Sequence, residues 1–210
     1  MAAAPPLGEF ERIARFFAPL AAPGGLGLVD DVALIDGPPG EQYVLKTDAI
    51  VEGVDFLPET PPGAVAQKLL RVNLSDLAAK GATPLFYLLV TALPRRLGED
   101  WLAGFAAGLA QDQARYGIGL LGGDMSAIDG PITLSATLIG RVAAGSAVLR
   151  STAKPGDRVF VSGTLGDAAL GLAALRGTLA LEDAAARAFL IDRYHPVSYT
   201  HLTLPTILRV

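Results

Sequence analysis

The stretch YGIGLLGGDMS, residues 116–126, admits two readings that lead to different folds. Gly117, Gly119 and Gly122 spell G-x-G-x-x-G, the loop that seats a dinucleotide pyrophosphate, whereas Gly122, Gly123 and Asp124 place a carboxylate behind two glycines. The first reading requires a strand before the glycines and a helix after them, so that the pyrophosphate meets a helix N-terminus. Here GEDWLAGFAAGLAQDQARYG, just before, carries Trp101, Phe105 and Leu109 at helical spacing, and Gly119, Leu120 and Leu121 read as the strand itself. The following GGDMSAIDGP lacks helical periodicity, so the dinucleotide reading is set aside and Asp124 remains as a carboxylate at a strand end that could hold a metal.

Two further amphipathic helices flank this centre. GEFERIARFF places Phe10, Ile13, Phe16 and Phe17 at helical spacing, and PGAVAQKLLRVNLSDLAAKGA turns Val65, Leu69, Leu70 and Leu77 inward, with Gly81 ending it. Between the helices lie apolar, β-branched runs bounded by Gly, Pro or Asp: QYVLKTDAIV, PLFYLLVTALP, GIGLL and PITLSATLIGRV. They predict strands of one mixed sheet in an α/β (α+β) domain over residues 1–148. Past Val148 the texture changes to LRSTAKPGDRVFVSGTLGDAALGLAALRG, which predicts a turn, a short strand, a glycine-rich corner and an Ala/Leu helix. Residues 149–196 thus read as the opening of a second α/β domain, with too few elements to close a core alone. Residues 197–210 continue no pattern established upstream.

Composition narrows the chemistry. A hydrophobic fraction of 51% over 210 residues is ample for a packed core, and its excess is mostly Ala and Leu. The charge-free stretch from Gly81 to Pro94 is too short to span a bilayer, and MAAAPPLGEFERI has no basic flank leading into an apolar core. These features predict a cytoplasmic protein without a membrane partner. A net charge of -4 argues against nucleic acid as a partner. With no cysteine and only His195 and His201, thiolate sites, disulfides and the usual zinc sites drop out, leaving oxygen ligands for any metal.

The oxygen donors stand at the apparent ends of strands and in turns: Asp30 and Asp31 in GLVDDVALI, Asp48 in LKTDAIVEGVDF, Asp76 in VNLSDLAAKGA, and Asp124. Such carboxylates suit magnesium, which bridges them to phosphates. Each alone is equally a turn or cap aspartate, and Asp76 has Lys80 one helical turn on as an ordinary partner. Asp48 and Asp124 follow runs that read as buried, where an unpaired carboxylate is costly. Arg150 and Lys154 occupy the turn LRSTAKPGD and bring donors suited to phosphate oxygens. In VSGTLGDAALGL a helix starting near Gly166 would turn free N–H groups toward an anion or simply close a tight turn. The dipeptide Gly-Lys never occurs, which excludes a Walker-type phosphate loop.

In order along the chain, GEFERIARFF, VDDVALI, TDAIVEGVDF, NLSDLAAKGA, LLGGD, RSTAKPGD and VSGTLGDAALGL resemble the thiamine-monophosphate kinase family over roughly residues 8–195. The resemblance implies the fold of the aminoimidazole ribonucleotide synthetase superfamily, with N-terminal domains pairing through their sheets into a homodimer. It implies direct transfer of the ATP γ-phosphoryl group to thiamine phosphate, with magnesium, no phosphoenzyme and no catalytic side chain. By motif, Asp31, Thr47, Asp48, Asp76 and Asp124, with Asp30 beside them, correspond to magnesium ligands; Gly123, Asp124 and Arg150 correspond to ATP contacts. Asp55 stands where the family has a substrate-contacting histidine, and Lys46 stands at a position often Ser or Thr, where it would displace one metal ion or mimic its charge. Val29, Met125 and Thr152 are smaller departures. The family's second domain continues past this chain's last residue, and residues 197–210 resemble none of it. Two other readings stay open: a non-catalytic dimerising fragment that binds magnesium and nucleotide, and a sister enzyme of the same fold with another phosphoryl acceptor.

Overall fold

The structure, a computed structural model, describes residues 8–160 and 164–195. Its centre is a five-stranded mixed sheet of β1 (Ala33–Asp36), β2 (Glu41–Val51), β3 (Thr83–Pro94), β4 (Gly119–Ile128) and β5 (Thr133–Ala143), in the order β1-β2-β5-β3-β4. Four strands are joined antiparallel, and β4 alone runs parallel to its neighbour β3. A parallel pair needs a crossover connection, and the helix α3 (Glu99–Tyr116) between β3 and β4 supplies it.

One face of the sheet is covered and the other is open, as the period of two dictates. Val44 and Ile50 of β2, Leu134, Ala136 and Leu138 of β5, and Tyr87 of β3 are buried beneath α2 (Pro62–Ala79) and α3. The alternate β3 residues Phe86, Leu88 and Val90 stay exposed on the far side. Helix α2 opens on Pro62, whose missing N–H is no loss at a first helical position, and buries Val65, Leu69, Leu70, Leu74 and Leu77 completely. Each such side chain contributes about 1.5–3 kcal/mol of transfer free energy. Helix α3 carries Glu99 and Asp100 in its first turn and Arg115 in its last, favourable to its dipole, and Gly117 closes it in a left-handed conformation. The two helices touch backbone to backbone, since a Cβ on Gly108 would lie 2.4 Å from the Gly63 carbonyl oxygen. Beside that contact, Arg71 and Asp112 form a buried bidentate ion pair at 2.7 and 2.8 Å.

Three expectations need correction. The strand expected at GIGLL runs on to Ile128, so GGD lies inside β4 and forms no corner after it. A register shift opposite Tyr87 and Leu88 leaves Leu121 unpaired as a bulge, which is the irregularity that the glycines around it accommodate. Strand β1 was not foreseen, being only four residues long and half-buried. The short strand expected in DRVFVSG does not form at residues 158–160, which are irregular; 161–163 lie outside the described residues, as does the tail 197–210.

The N-terminal segment is helical as expected, α1 (Glu9–Arg12) running into a wider turn at Ile13–Phe17, but Phe10, Phe16 and Phe17 remain exposed. Beyond β5, α4 (Asp167–Leu175) starts after Gly166 and packs on α5 (Ala184–Tyr194), with Gly171 pressed under the Leu190 carbonyl oxygen. Asp183 caps α5 by accepting from the Ala185 and Ala186 N–H groups.

Candidate functional site

Strand β2 has a partner on one side only after Leu45, because β1 pairs with residues 42–45 and no further. The free edge that follows carries Lys46, Thr47 and Asp48, and alternation sends Lys46 and Asp48 to the helix-covered face and Thr47 to the open one. There the Lys46 Nζ meets Asp48 Oδ1 at 3.0 Å and, from α2, Asp76 Oδ2 at 2.7 Å. The lysine side chain is 9% exposed, while Asp48 and Asp76 are 41% and 29% exposed. Burial by itself would depress the lysine, but the hydrogen bonds and charges of Asp76 and Asp48 outweigh it and hold the ammonium above its ordinary value.

Asp30 is built into a different clasp. Its Oδ1 pairs with Lys80 Nζ at 2.6 Å and accepts from the Asp31 N–H, and its Oδ2 accepts from the Arg150 N–H at 3.0 Å. Burial works against the charged carboxylate, yet the Lys80 hydrogen bond, the Arg150 N–H and the Lys80 charge together hold its pKa below the ordinary carboxylate value. The clasp ties the end of α2, the approach to β1 and the junction after β5 together. Lys80 therefore does not pair with Asp76, its neighbour one helical turn back; it faces the loop at Asp30, leaving Asp76 to Lys46. Asp31 receives the Arg150 guanidinium at 2.6 Å on the exposed side. Asp30, Asp31, Lys46 and Thr47 form the polar wall of a cavity of about 610 Å³ whose apolar wall includes Ile13 and Phe17.

The remaining expected residues are not gathered at this cavity. Asp124 pairs in register with Val90, Val90 with Ser135, and Ser135 with Ala49. Three strand spacings of about 4.8 Å put Asp124 about 14 Å along the sheet from the Lys46–Asp48 edge. Its register partner Val90 is an exposed open-face residue, so Asp124 shares that face with Thr47, and neither points toward Asp48 and Asp76. It was also expected beyond a buried run, but β4 is exposed along nearly all its length and Asp124 Oδ2 accepts only from Ser126 Oγ, at 3.2 Å, among the described side chains. Gly123 lies so close to β3 that a Cβ there would sit 1.7 Å from the Leu89 carbonyl oxygen. Thr47 Oγ1 accepts from Thr137 Oγ1 and donates to the Ala136 carbonyl. Asp55 closes its own turn, its Oδ2 accepting from the Val51 N–H at 2.8 Å and its carbonyl from Lys68 Nζ. Burial depresses that lysine despite the Asp55 charge, and its Nζ lies 4.8 Å from the Tyr194 ring centre. Lys68 was not singled out from the sequence, and its helical position among apolar residues gave no signal. Among the described residues no three acidic or histidine side chains come close enough to share one metal ion.

The sheet and its two covering helices match the AIR synthase related protein, N-terminal domain, over residues 29–142. The chain belongs to this family. Within the AIR synthase related proteins, the thiamine-monophosphate kinase of Caulobacter vibrioides is 48% identical over 186 residues, covering 88% of this chain and 53% of that protein. The thiamine-monophosphate kinase of Escherichia coli K12 is 41% identical over 190 residues, covering 89% and 58%. A solved structure described as AaThiL complexed with AMPPCP and TMP superposes with a TM-score of 0.80 at 32% identity, over 90% of this chain and 59% of the other. The chain thus spans somewhat more than half the length of these relatives. Among the described residues no helix is long and apolar enough to cross a membrane.

Proposed function

We propose that this chain is the N-terminal, nucleotide-handling part of a cytoplasmic kinase that transfers the γ-phosphoryl group of ATP to thiamine phosphate, releasing thiamine diphosphate and ADP. The observation that carries the reading is the 48% identity to a thiamine-monophosphate kinase across 88% of the chain. The domain division belongs to the same proposal: residues 1–148 bind nucleotide and metal and dimerise, residues 149–196 open a second domain, and 197–210 stand apart.

The chemistry asks little covalent help of the protein. A phosphate monoester has its second pKa near ~6, so at neutral pH the attacking oxygen is already ionised and no general base is required. What opposes reaction is repulsion between two anions, and the chain meets it with fixed cations. Arg150, half-exposed and held by Asp31, presents donors to a phosphate in the plane that guanidinium groups favour. Gly123 and Asp124 are assigned to the nucleotide by the same reading, and Asp55 to the thiamine phosphate. Asp31, Thr47, Asp48, Asp76 and Asp124 are all oxygen donors of the kind a hard cation takes, but Asp48 and Asp76 would have to release Lys46, Asp31 would have to release Arg150, and Asp30 would have to release Lys80 and two N–H groups to serve. Magnesium, when bound, supplies charge neutralisation of the phosphates and alignment for in-line attack.

The reading includes a homodimer, which the division of those donors between two faces supports. Asp124 and Thr47 lie on the open face, where Phe86, Leu88 and Val90 are 43%, 42% and 45% exposed. A second copy laid sheet to sheet covers that apolar surface and brings its own Asp124 across to the first copy. Nucleic acid is not a partner in this reading, given the net charge of -4.

The test is formation of thiamine diphosphate from ATP and thiamine phosphate, measured chromatographically with the chain alone and with the chain joined to the C-terminal half of the Caulobacter vibrioides relative. Product from the joined protein supports the reading; none from either overturns it. One observation favours a second acceptor class: Asp55 puts a carboxylate, already turned into its own loop, at the position assigned to the substrate. Equal rates with thiamine phosphate and other phosphate acceptors in competition would select that alternative.

A further inference from the structure

We propose that the Lys46 ammonium is a tethered cation standing between Asp48 and Asp76 in place of a divalent ion. The inference rests on the nucleotide-handling reading only in treating the neighbouring carboxylates as ligands. Both carboxylates converge on Lys46 Nζ, at 3.0 and 2.7 Å. The exposures run opposite to those of a surface bridge: the cation is the most deeply buried member, and the two carboxylates are the exposed ones. Its stem cannot swing out easily, because Val44 and Ile50 on either side of the pair share its face of β2 in the core.

Two carboxylates from separate elements, β2 and α2, converging on one inward position make an arrangement that suits a cation of either kind. A magnesium ion draws oxygens to about 2.1 Å, whereas an ammonium holds them at hydrogen-bond distance, so the pair stands wider around the lysine than it would around a bound metal ion. One positive charge against two negative ones leaves the group at −1, and a divalent ion at the same place would have to displace the ammonium first. A bridge that only ties α2 to β2 would leave no cation site behind when the lysine is removed. A tethered substitute would.

The experiment counts bound Mn²⁺ on the 210-residue chain from the electron paramagnetic resonance signal of the free ion, without ATP or thiamine phosphate. Failure of the kinase reading therefore does not touch the result. Lys46→Ser is expected to bind one equivalent more than the wild type, Lys46→Arg the same number as the wild type, and Lys46→Ser combined with Asp76→Asn to lose the added equivalent. Equal counts for wild type and Lys46→Ser, including none in both, overturn the proposal. Circular dichroism reports folding; if Lys46→Ser does not fold, Lys46→Ala carries the same expected gain and the same refutation.

Discussion

Gly123 separates two explanations of the GGD segment, because replacing it with alanine has a computable consequence. The added Cβ would fall 1.7 Å from the Leu89 carbonyl oxygen and 2.9 Å from the Leu89 nitrogen, backbone atoms of the paired strand that cannot rotate away. Among the described residues β3 is the only strand paired with β4, so β4 must back off at that point. A retreat of about 1 Å takes N–H···O contacts out of their usual range of about 2.7–3.2 Å. The pairs Leu88–Gly122, Leu89–Gly123 and Val90–Asp124 lie within reach of the disturbance. Losing two or three ladder hydrogen bonds at about 1 kcal/mol each destabilises the chain by about 2–3 kcal/mol.

The assay is urea denaturation of wild type and Gly123→Ala, followed by tryptophan fluorescence of Trp101, with amide hydrogen exchange read along β4. The expected outcome is a lower midpoint and faster exchange from Gly122 to Ser126. If Gly123 were there only to admit a nucleotide, the variant would unfold like the wild type and lose ATP binding alone. A midpoint shift worth under about 0.5 kcal/mol, the size typical of an innocuous surface change, would refute the steric argument.

The remaining expectations concern charge and surface. Arg71→Met should destabilise by about 3–5 kcal/mol, since it leaves the Asp112 carboxylate uncompensated between α2 and α3; a smaller loss for Arg71→Met with Asp112→Leu would show that the isolated charge is responsible, and urea midpoints measure both. Asp30 has a depressed pKa in the fold, so its stabilisation is present above its ordinary value of 3.8 and lost as pH falls through the lower folded value. Asp30→Asn should therefore unfold at a lower temperature at neutral pH and lose less stability on acidification, which calorimetry between pH 2 and 7 detects as about a flattened acid limb. In the proposed sheet-to-sheet dimer, Val90→Glu places a charge on the covered face, and should shift sedimentation from dimer toward monomer with at least about a tenfold weaker association.

The helices and most strands could be read from the sequence because burial imposes a period, and the period survives in the residues. Leu69, Leu70 and Leu77 were inward by spacing and are fully buried. Strand β1 escaped because four residues carry too little periodicity, and its neighbours Asp30 and Asp31 look like turn residues whether or not a strand follows. The length of β4 escaped for a related reason: GGDMSAI has neither an apolar alternation nor a helical one, since as an edge strand it is exposed on both sides and its pairing is set by β3.

Those two misreadings account for what the site reading could not resolve. Residue types identify oxygen donors, but their faces depend on where a strand starts and whether a bulge shifts it. Thr47 and Asp48 are adjacent in sequence and for that reason opposite in space, while Leu121, unpaired in β4, resets the phase of everything after it, Asp124 included. Lys46 is the converse case. The family resemblance marked it as standing where Ser or Thr is frequent, yet only the convergence of Asp48 and Asp76 on its Nζ shows that the added charge faces inward to carboxylates and not outward to solvent. The proposed donors therefore divide between opposite faces of one sheet, with Asp48 and Asp76 held by Lys46 on the inner face and no cluster of three acidic or histidine side chains on either among the described residues, so that in the proposed reading a metal ion at Asp124 would draw its remaining ligands from ATP, from water or from a second chain.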